Sequence, residues 1–431
     1  VKIAVIGAGI SGLTAAHRMT QAGHDVEVYE AKSTVGGRMR SVEVGEFRLD
    51  LGVSMLLDTY DRTRALVNEL GLSDQWYELE ADPGGVLHDD ELHSFSPRRA
   101  FDVLRYRGLK LGGRIRLFAE LARTRFVDRD LDFFDLSVGD DELDGEDCES
   151  YCRRRVGDEA TDYVVDAFIR TFHFHGAGRM SRKYFEALAR LLVSHGEFRL
   201  CALRGHMSAL PEALAERLDV HLGSRVESVT PTQHGVELAW PDARATFDAA
   251  VVATTPERAR ALLVTSSAAQ RELLEHAETS CTAVCFFAVP NDIAGTFEGV
   301  WVPFPESHIV CAFSNESSKG ERTGDRCLFS VFLHDETASQ WLSRSDADIL
   351  GDTAVELVRL FPAYAGHLDP LRVQRWADAL PVYGVGQVSR VRRFWNAGQG
   401  DGGIWLCGDY LNHPWVEGAI RCGEKVAARI G

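Results

Sequence analysis
Residues 1–30 read VKIAVIGAGISGLTAAHRMTQAGHDVEVYE. Lys2 to Ile6 is a short, apolar, β-branched run, the composition of a parallel strand buried on both faces. Gly7-Ala8-Gly9-Ile10-Ser11-Gly12 follows, then a helical pattern with apolar Ile10, Leu13, Ala16 and Met19 at three-residue steps, and Gly23 as its stop. A second strand is expected from Asp25 to Tyr29, ending on Glu30. Gly7 permits the tight turn, Gly9 lets the main chain approach a pyrophosphate, and Gly12 lets helix and strand pack closely. The helix start at Ile10 and Ser11 offers free N–H groups and a positive dipole end to phosphates. Glu30, 18 residues beyond Gly12, is placed to accept hydrogen bonds from a ribose diol. Strand, turn, helix, stop, strand and terminal acid fall in the order of a dinucleotide-binding βαβ unit.

The next segment, Ala31-Lys32-Ser33-Thr34-Val35-Gly36-Gly37-Arg38-Met39-Arg40, argues for FAD over NAD. Its glycine pair lets a second loop approach the same pyrophosphate, and Arg38 can neutralise it with a forked, charge-assisted contact. Joined to Glu30 at this short spacing, the segment resembles the second FAD fingerprint of the flavin amine oxidase, protoporphyrinogen oxidase and carotenoid desaturase superfamily. The run Asp50-Leu51-Gly52-Val53-Ser54 is similar to that superfamily's loop beside the flavin ring.

A chain of 431 residues is long for one domain and comfortable for two. Its hydrophobic fraction of 45% and charged fraction of 26% are those of an ordinary globular protein. No apolar run approaches a membrane span, and the opening directly on a strand leads us to expect no signal peptide. A formal charge of −17 argues against nucleic acid and against general attraction to anionic membranes. The nine cysteines are odd in number and scattered, and neither Cys148/Cys152 nor Cys281/Cys285 has a His cluster nearby. They read as buried thiols in a reducing cytoplasm, with no metal site.

Charge is uneven. Between Arg98 and Arg125 nine basic residues face only Asp102 and Glu120, and between Asp128 and Glu149 eleven acids meet only Arg129. The favoured reading is a helix with a solvated basic face followed by an acidic loop, the two paired electrostatically. The alternative is a basic amphipathic segment that touches a membrane surface or lines the entrance for an anionic substrate. Helical patterns then run with breaks through Cys148–Arg153, Asp162–Thr171 and Arg182–Ser194. His173 and His175 would share one face of a strand, a spacing metals accept, but packing or substrate contact is the preferred reading.

The resemblance extends to the C-terminus. Residues 204–210, RGHMSAL, look like the superfamily's "rGGm..L" segment, which returns the chain to the flavin domain. Residues 220–229 read as a strand in which Val226 matches the position that gives its backbone to adenine. Val236–Trp240 and Ala243–Phe247 read as a hairpin, and residues 249–256, AAVVATTP, resemble the "D.VV.ATP" strand that carries Thr254. The apolar strand CTAVCFFAVP (281–290) lacks, near Ala283, the lysine with which flavin amine oxidases hold a water against the flavin; no lysine lies between Arg271 and Lys319. A strand is expected over residues 327–334 and a helix over 346–359. Residues 373–386 are similar to the "W..alP.Y..GH" segment of protoporphyrinogen oxidases, with Gln387 where His is frequent. No Cys lies there, so the FAD is expected to be non-covalent. Gly408 and Asp409 are expected on the pyrophosphate side. A helix from about Val416, through Ala419, would aim its N-terminus at the part of the flavin where negative charge accumulates.

These readings give an α/β fold: a discontinuous Rossmann-type FAD-binding domain (1–80, 200–265, 385–431) and an α+β substrate-binding domain (81–199, 266–384). The expected cofactor residues are Gly7, Gly9, Ile10, Ser11, Gly12, Glu30, Ala31, Gly37, Arg38, Gly52, Val53, Ser54, Val226, Thr254, Gly408, Asp409, Val416 and Ala419. The resemblance implies hydride removal from a small-molecule substrate, porphyrinogen-like or polyene, to leave C=C or C=N, with oxygen as electron acceptor. The alternatives are an amine oxidase acting on a CH–NH bond and a non-catalytic FAD-stabilised binding protein. No general base is readable; His173, His175, Trp376 and Tyr383 are the candidates for lining the pocket.

Overall fold
The computed structural model describes all residues except 80–83, 96–99, 127–129, 140, 196, 320 and 321. Arg98 and Arg99 of the basic run, and Asp128, Arg129 and Asp140 of the acidic one, lie outside the described residues. A five-stranded parallel sheet carries the N-terminal motif. Its order is Asp219–His221, Asp25–Tyr29, Lys2–Ile6, Ala249–Val252, Ile404–Leu406. Ile3, Ala4 and Val5 are fully buried at its centre, as expected of a run with no polar face. The carboxyl ends of the strands deliver Gly7, Glu30, Ala253 and Cys407 to one rim, where open α/β sheets bind their ligands.

Two helices cover this rim from behind, Ile10–Gln21 and Val416–Ile430. They pack closely because a glycine stands at the crossing: a Cβ on Gly423 would lie 2.5 Å from the Ser11 carbonyl oxygen. The expected hairpin is present as Gly235–Trp240 and Ala243–Phe247. The strand expected over 220–229 is instead two pieces. Asp219–His221 joins the parallel sheet, Ser228–Thr232 joins the hairpin, and a loop between them turns at Gly223 (φ +66°). That loop hands its N–H groups to the neighbouring chain, Gly223 to Lys32 O and Ser224 to Glu30 O, at 2.8 Å each.

The second sheet has eight strands and centres on Thr282–Pro290, flanked by Arg326–Leu333 and Asp369–Trp376. Cys285, Phe287 and Val289 enter one apolar core with the helix Asp346–Leu360, and Val284, Phe286 and Ala288 enter another with Phe47, Leu49 and Leu51. Both faces of the strand are buried, which accounts for its unbroken apolar sequence.

The remaining layer is helical: Leu111–Arg123, Cys148–Val156, a π-helical turn Thr161–Asp166, Ala167–His173 and Arg182–His195. His173 and His175 are therefore not on a strand. His173 closes a helix, Phe174 adopts the left-handed conformation (φ +72°), and its N–H caps Arg170 O at 2.9 Å. The acidic stretch also departs from expectation. Asp132 and Asp135 pair with Arg421 and Lys425 at 3.1 Å, and Asp141 pairs with Arg392, so these three acids are tied to the C-terminal helices and not to the basic one. Among the described residues no helix is long and apolar enough to cross a membrane.

Candidate active site
A cavity of about 1200 Å³ runs from the rim of the parallel sheet into the helical layer. It exceeds the usual range of about 300–1,000 Å³ for a single ligand site. All the expected cofactor residues except Gly12 line it, and Gly12 lies beneath, where its missing side chain admits the Gly7 turn. Seven segments distant in sequence thus meet on one surface.

Two helix starts open onto that surface. The first intrahelical bonds are Leu13 N to Gly9 O and Ala419 N to Trp415 O, so the N–H groups of the preceding turn in each helix have no helical acceptor. Neither start carries a side-chain cap, and both begin from extended backbone, at Gly9 and Trp415. Glu30 is fixed from both sides: Oε2 accepts from Ala8 N and Oε1 from Lys32 N, each at 2.9 Å. Lone pairs remain for a diol.

Arg38 and Asp409 lock the two ends of the chain together. Nη2 donates to Asp409 Oδ1 at 2.8 Å, Nη1 lies 2.8 Å from Oδ2, and Nη1 also donates to Ala379 O at 2.7 Å. Tyr383 supports this junction from behind, its hydroxyl donating to Asp409 O at 2.7 Å. The ring-side loop is similarly held. Trp376 Nε1 donates to Leu51 O at 2.7 Å, and a Cβ on Gly52 would lie 2.4 Å from Arg38 O. Lys319 donates to Ser54 O at 2.9 Å and to Asp50 Oδ2 at 3.2 Å, and pairs with Glu316. Burial alone would push the Lys319 ammonium toward neutrality; Glu316 and Asp50 outweigh it and hold the group protonated. In the strand Thr282–Pro290, Thr282 and Val284 face the cavity, and Ala283 points into the opposite core.

Of the four pocket candidates, only Trp376 is on the cavity wall. His173 and His175 are fully buried behind Phe172 and Phe174, and Tyr383 lies behind Asp409. His173 bears on the wall through Tyr184, whose hydroxyl is 2.6 Å from its Nε2. Burial raises the Tyr184 phenol and lowers both imidazoles, His175 to about 3, so the group is neutral. Tyr184 and Trp415 were not readable from sequence. The available signal was indirect: Phe168, Ile169, Phe172, Phe185 and Leu188 are more apolar positions than one helix–helix seam needs.

The sequence pattern of the flavin containing amine oxidoreductases matches residues 10–431. The chain belongs to this family. Coproporphyrinogen III oxidase of Mycobacterium tuberculosis H37Rv is 25% identical over 422 residues, covering 90% of this chain and 88% of the relative. The fold is shared with a putative protoporphyrinogen oxidase from Exiguobacterium sp. 255-15 (TM-score 0.78, 17% identity, 100% and 98% of the two chains). It is shared also with cyclohexylamine oxidase from Brevibacterium oxydans IH-35A (TM-score 0.74, 17% identity, 100% and 98%).

As a member of this family the protein is an FAD-dependent oxidoreductase that removes hydrogen from a small molecule to form a double bond. The cavity fits the cofactor: two uncapped helix starts, a fixed acid and a glycine-lined cradle share one wall. FAD supplies the two-electron acceptor. The chain's own residues would then have distinct tasks. Gly9 and Gly37 would leave main chain bare for the pyrophosphate, Glu30 would take the ribose, and Arg38 would offset phosphate charge. The Val416 helix would place positive potential where negative charge develops, and the helical layer would exclude water.

Proposed function
We propose that the substrate is a largely apolar molecule of porphyrinogen or isoprenoid size, dehydrogenated at carbon to give C=C, with oxygen taking the electrons from non-covalent FAD. One observation carries this reading. Every described cavity-lining residue from the helices Leu111–Arg123, Ala167–His173 and Arg182–His195 is uncharged, and most are Phe, Leu or Ile. A charged group placed among them would lose its hydration without gaining a partner. No cysteine lines the cavity among the described residues, which supports a cofactor held without a tether. Amine oxidation is the second reading, and Glu298 supports it, because this buried carboxylate lines the cavity beside Gly299 and could receive an ammonium.

The test is anaerobic reduction of the bound flavin, followed by its visible absorbance. Porphyrinogens or isoprenoid polyenes should bleach it, and alkylamines should leave it yellow. Bleaching by amines alone would overturn the proposal in favour of the second reading. Peroxide released on re-aeration is expected from an oxidase, and its absence would remove oxygen as the acceptor.

A further inference from the structure
Helix Leu111–Arg123 has two faces in different surroundings. Leu117 and Leu121 line the cavity, beside Val103 of the short helix Asp102–Arg105. On the opposite face Leu111 and Ile115 stand 66% and 52% exposed, one turn apart. Hydrogen bonds from Thr124 N to Leu121 O, Arg125 N to Ala122 O and Phe126 N to Arg123 O continue the coil past the helix end. Phe126, 86% exposed, therefore extends the same stripe, about three turns beyond Ile115. Phe101 joins it sideways, its ring 5.0 Å from that of Phe118. The two exposed phenylalanines among the described residues are both here.

The rim is cationic. Arg105, Arg107, Lys110, Arg116 and Arg125 are exposed, whereas the acids of residues 101–126 are drawn inward, Asp102 half-buried and Glu120 buried beneath Arg123 and Arg155. Lys110 also reaches Glu159 at 3.8 Å. In a chain of net charge −17 this is a local reversal of sign.

We propose that this stripe docks on an anionic lipid surface. Leu111, Ile115 and Phe126 enter the acyl boundary and the surrounding Arg and Lys side chains meet the headgroups, the arrangement of an interfacial amphipathic helix. A symmetric contact between two copies would set the same cations against each other, which disfavours self-association here. The helix is about 10 Å thick, so the lipid surface lies one helix away from the cavity. An apolar substrate then passes from bilayer to flavin without crossing water. That last step rests on the apolar-substrate reading. Docking itself does not, and it is measured with no substrate present.

The experiment is flotation of the FAD-loaded full chain with vesicles of phosphatidylcholine containing roughly a third phosphatidylglycerol, against phosphatidylcholine alone. With each basic residue near the surface worth roughly fivefold, binding to the anionic vesicles should exceed that to neutral ones by at least about tenfold, and added salt should weaken it. Ile115→Ser/Phe126→Ser should lose at least about tenfold with its flavin absorbance intact. Arg105→Glu/Arg107→Glu should lose about as much, and it decides the matter if the first variant fails to hold FAD. The proposal is overturned if wild-type protein stays with neither vesicle, or if the charge variant floats as wild type does. It is equally overturned if light scattering shows a dimer that Ile115→Ser/Phe126→Ser dissociates.

Discussion
Replacing Arg38 by Ala removes the clasp between the glycine turns and the C-terminal segment. The lost contacts are the paired approach to Asp409 and the bond to Ala379 O. The side chain of Asp409 is only 7% exposed, so the variant strands a carboxylate that water reaches poorly. Breaking such a buried pair costs about 3–5 kcal/mol. Arg38 is itself 29% exposed, and solvent screening puts the expectation at the lower end, about 3 kcal/mol. At about 2.1 cal/mol/K per residue, 431 residues unfold with about 0.9 kcal/mol/K, so the melting temperature of the flavin-free protein should fall by about 3 °C. Flavin affinity should weaken at least about tenfold, the loss of one charge-assisted contact. Arg38→Lys should recover part of the affinity and little of the clasp, because an ammonium cannot fork. Adding Asp409→Asn to Arg38→Ala should restore part of the melting temperature by removing the stranded charge. The assays are calorimetry on the flavin-free protein and equilibrium dialysis against FAD. An Arg38→Ala protein with wild-type melting temperature and wild-type flavin occupancy would refute the reasoning.

Three further outcomes are expected. Gly423→Ala places a methyl 2.5 Å from Ser11 O, so the two rim helices must separate; stability should drop by about 1–3 kcal/mol in chemical denaturation, and an unchanged midpoint would show that the helices adjust freely. Burial works to raise the Glu69 carboxyl, but hydrogen bonds from His17, Arg18 and Gln21 outweigh it and hold the group at about 2. Its ionised form therefore stabilises the fold above about pH 4.5, and that contribution is lost as pH falls toward 2; the melting gap between wild type and Glu69→Gln should narrow over this window, and a constant gap would contradict the sign. All nine cysteines are free and buried, and burial pushes Cys201, Cys281 and Cys285 up to about 12. A thiol reagent should accordingly find almost none in the native protein and nine after denaturation.

The cofactor side was legible because its chemistry forces residue types onto fixed spacings. Gly7 needs a positive φ (+105°) and Gly12 has no room for a methyl, so few other residues can stand there. The substrate side imposes no such constraint. Phe172, His173, Phe174 and His175 alternate like a half-buried strand, yet the preceding π-helical turn and left-handed Phe174 make them a helix end. Residues 220–229 carried enough β-branched positions to read as one strand. Hydrogen bonding to Glu30 and Lys32 divides them, a tertiary effect that no local pattern records. Lys319 was visible only as the residue ending a lysine-free interval, and its bonds to Asp50 and Ser54 depend on a hairpin folding back across the molecule. The acids of 128–149 promised a partner for the basic helix, and geometry gave Asp132, Asp135 and Asp141 to Arg421, Lys425 and Arg392 instead.

The close packing of Gly423 in the Val416–Ile430 helix against Ser11 and Ala15 of the Ile10–Gln21 helix also sets a timetable. A ribosome releases the first of these helices roughly four hundred residues before the second, and contacts so remote in sequence are slow to form. Until the second arrives, Thr14 and Ala15, both fully buried in the folded protein, have no neighbour to exclude solvent on that side. Nascent chains should consequently lean on chaperones for most of translation and acquire their yellow colour only after release.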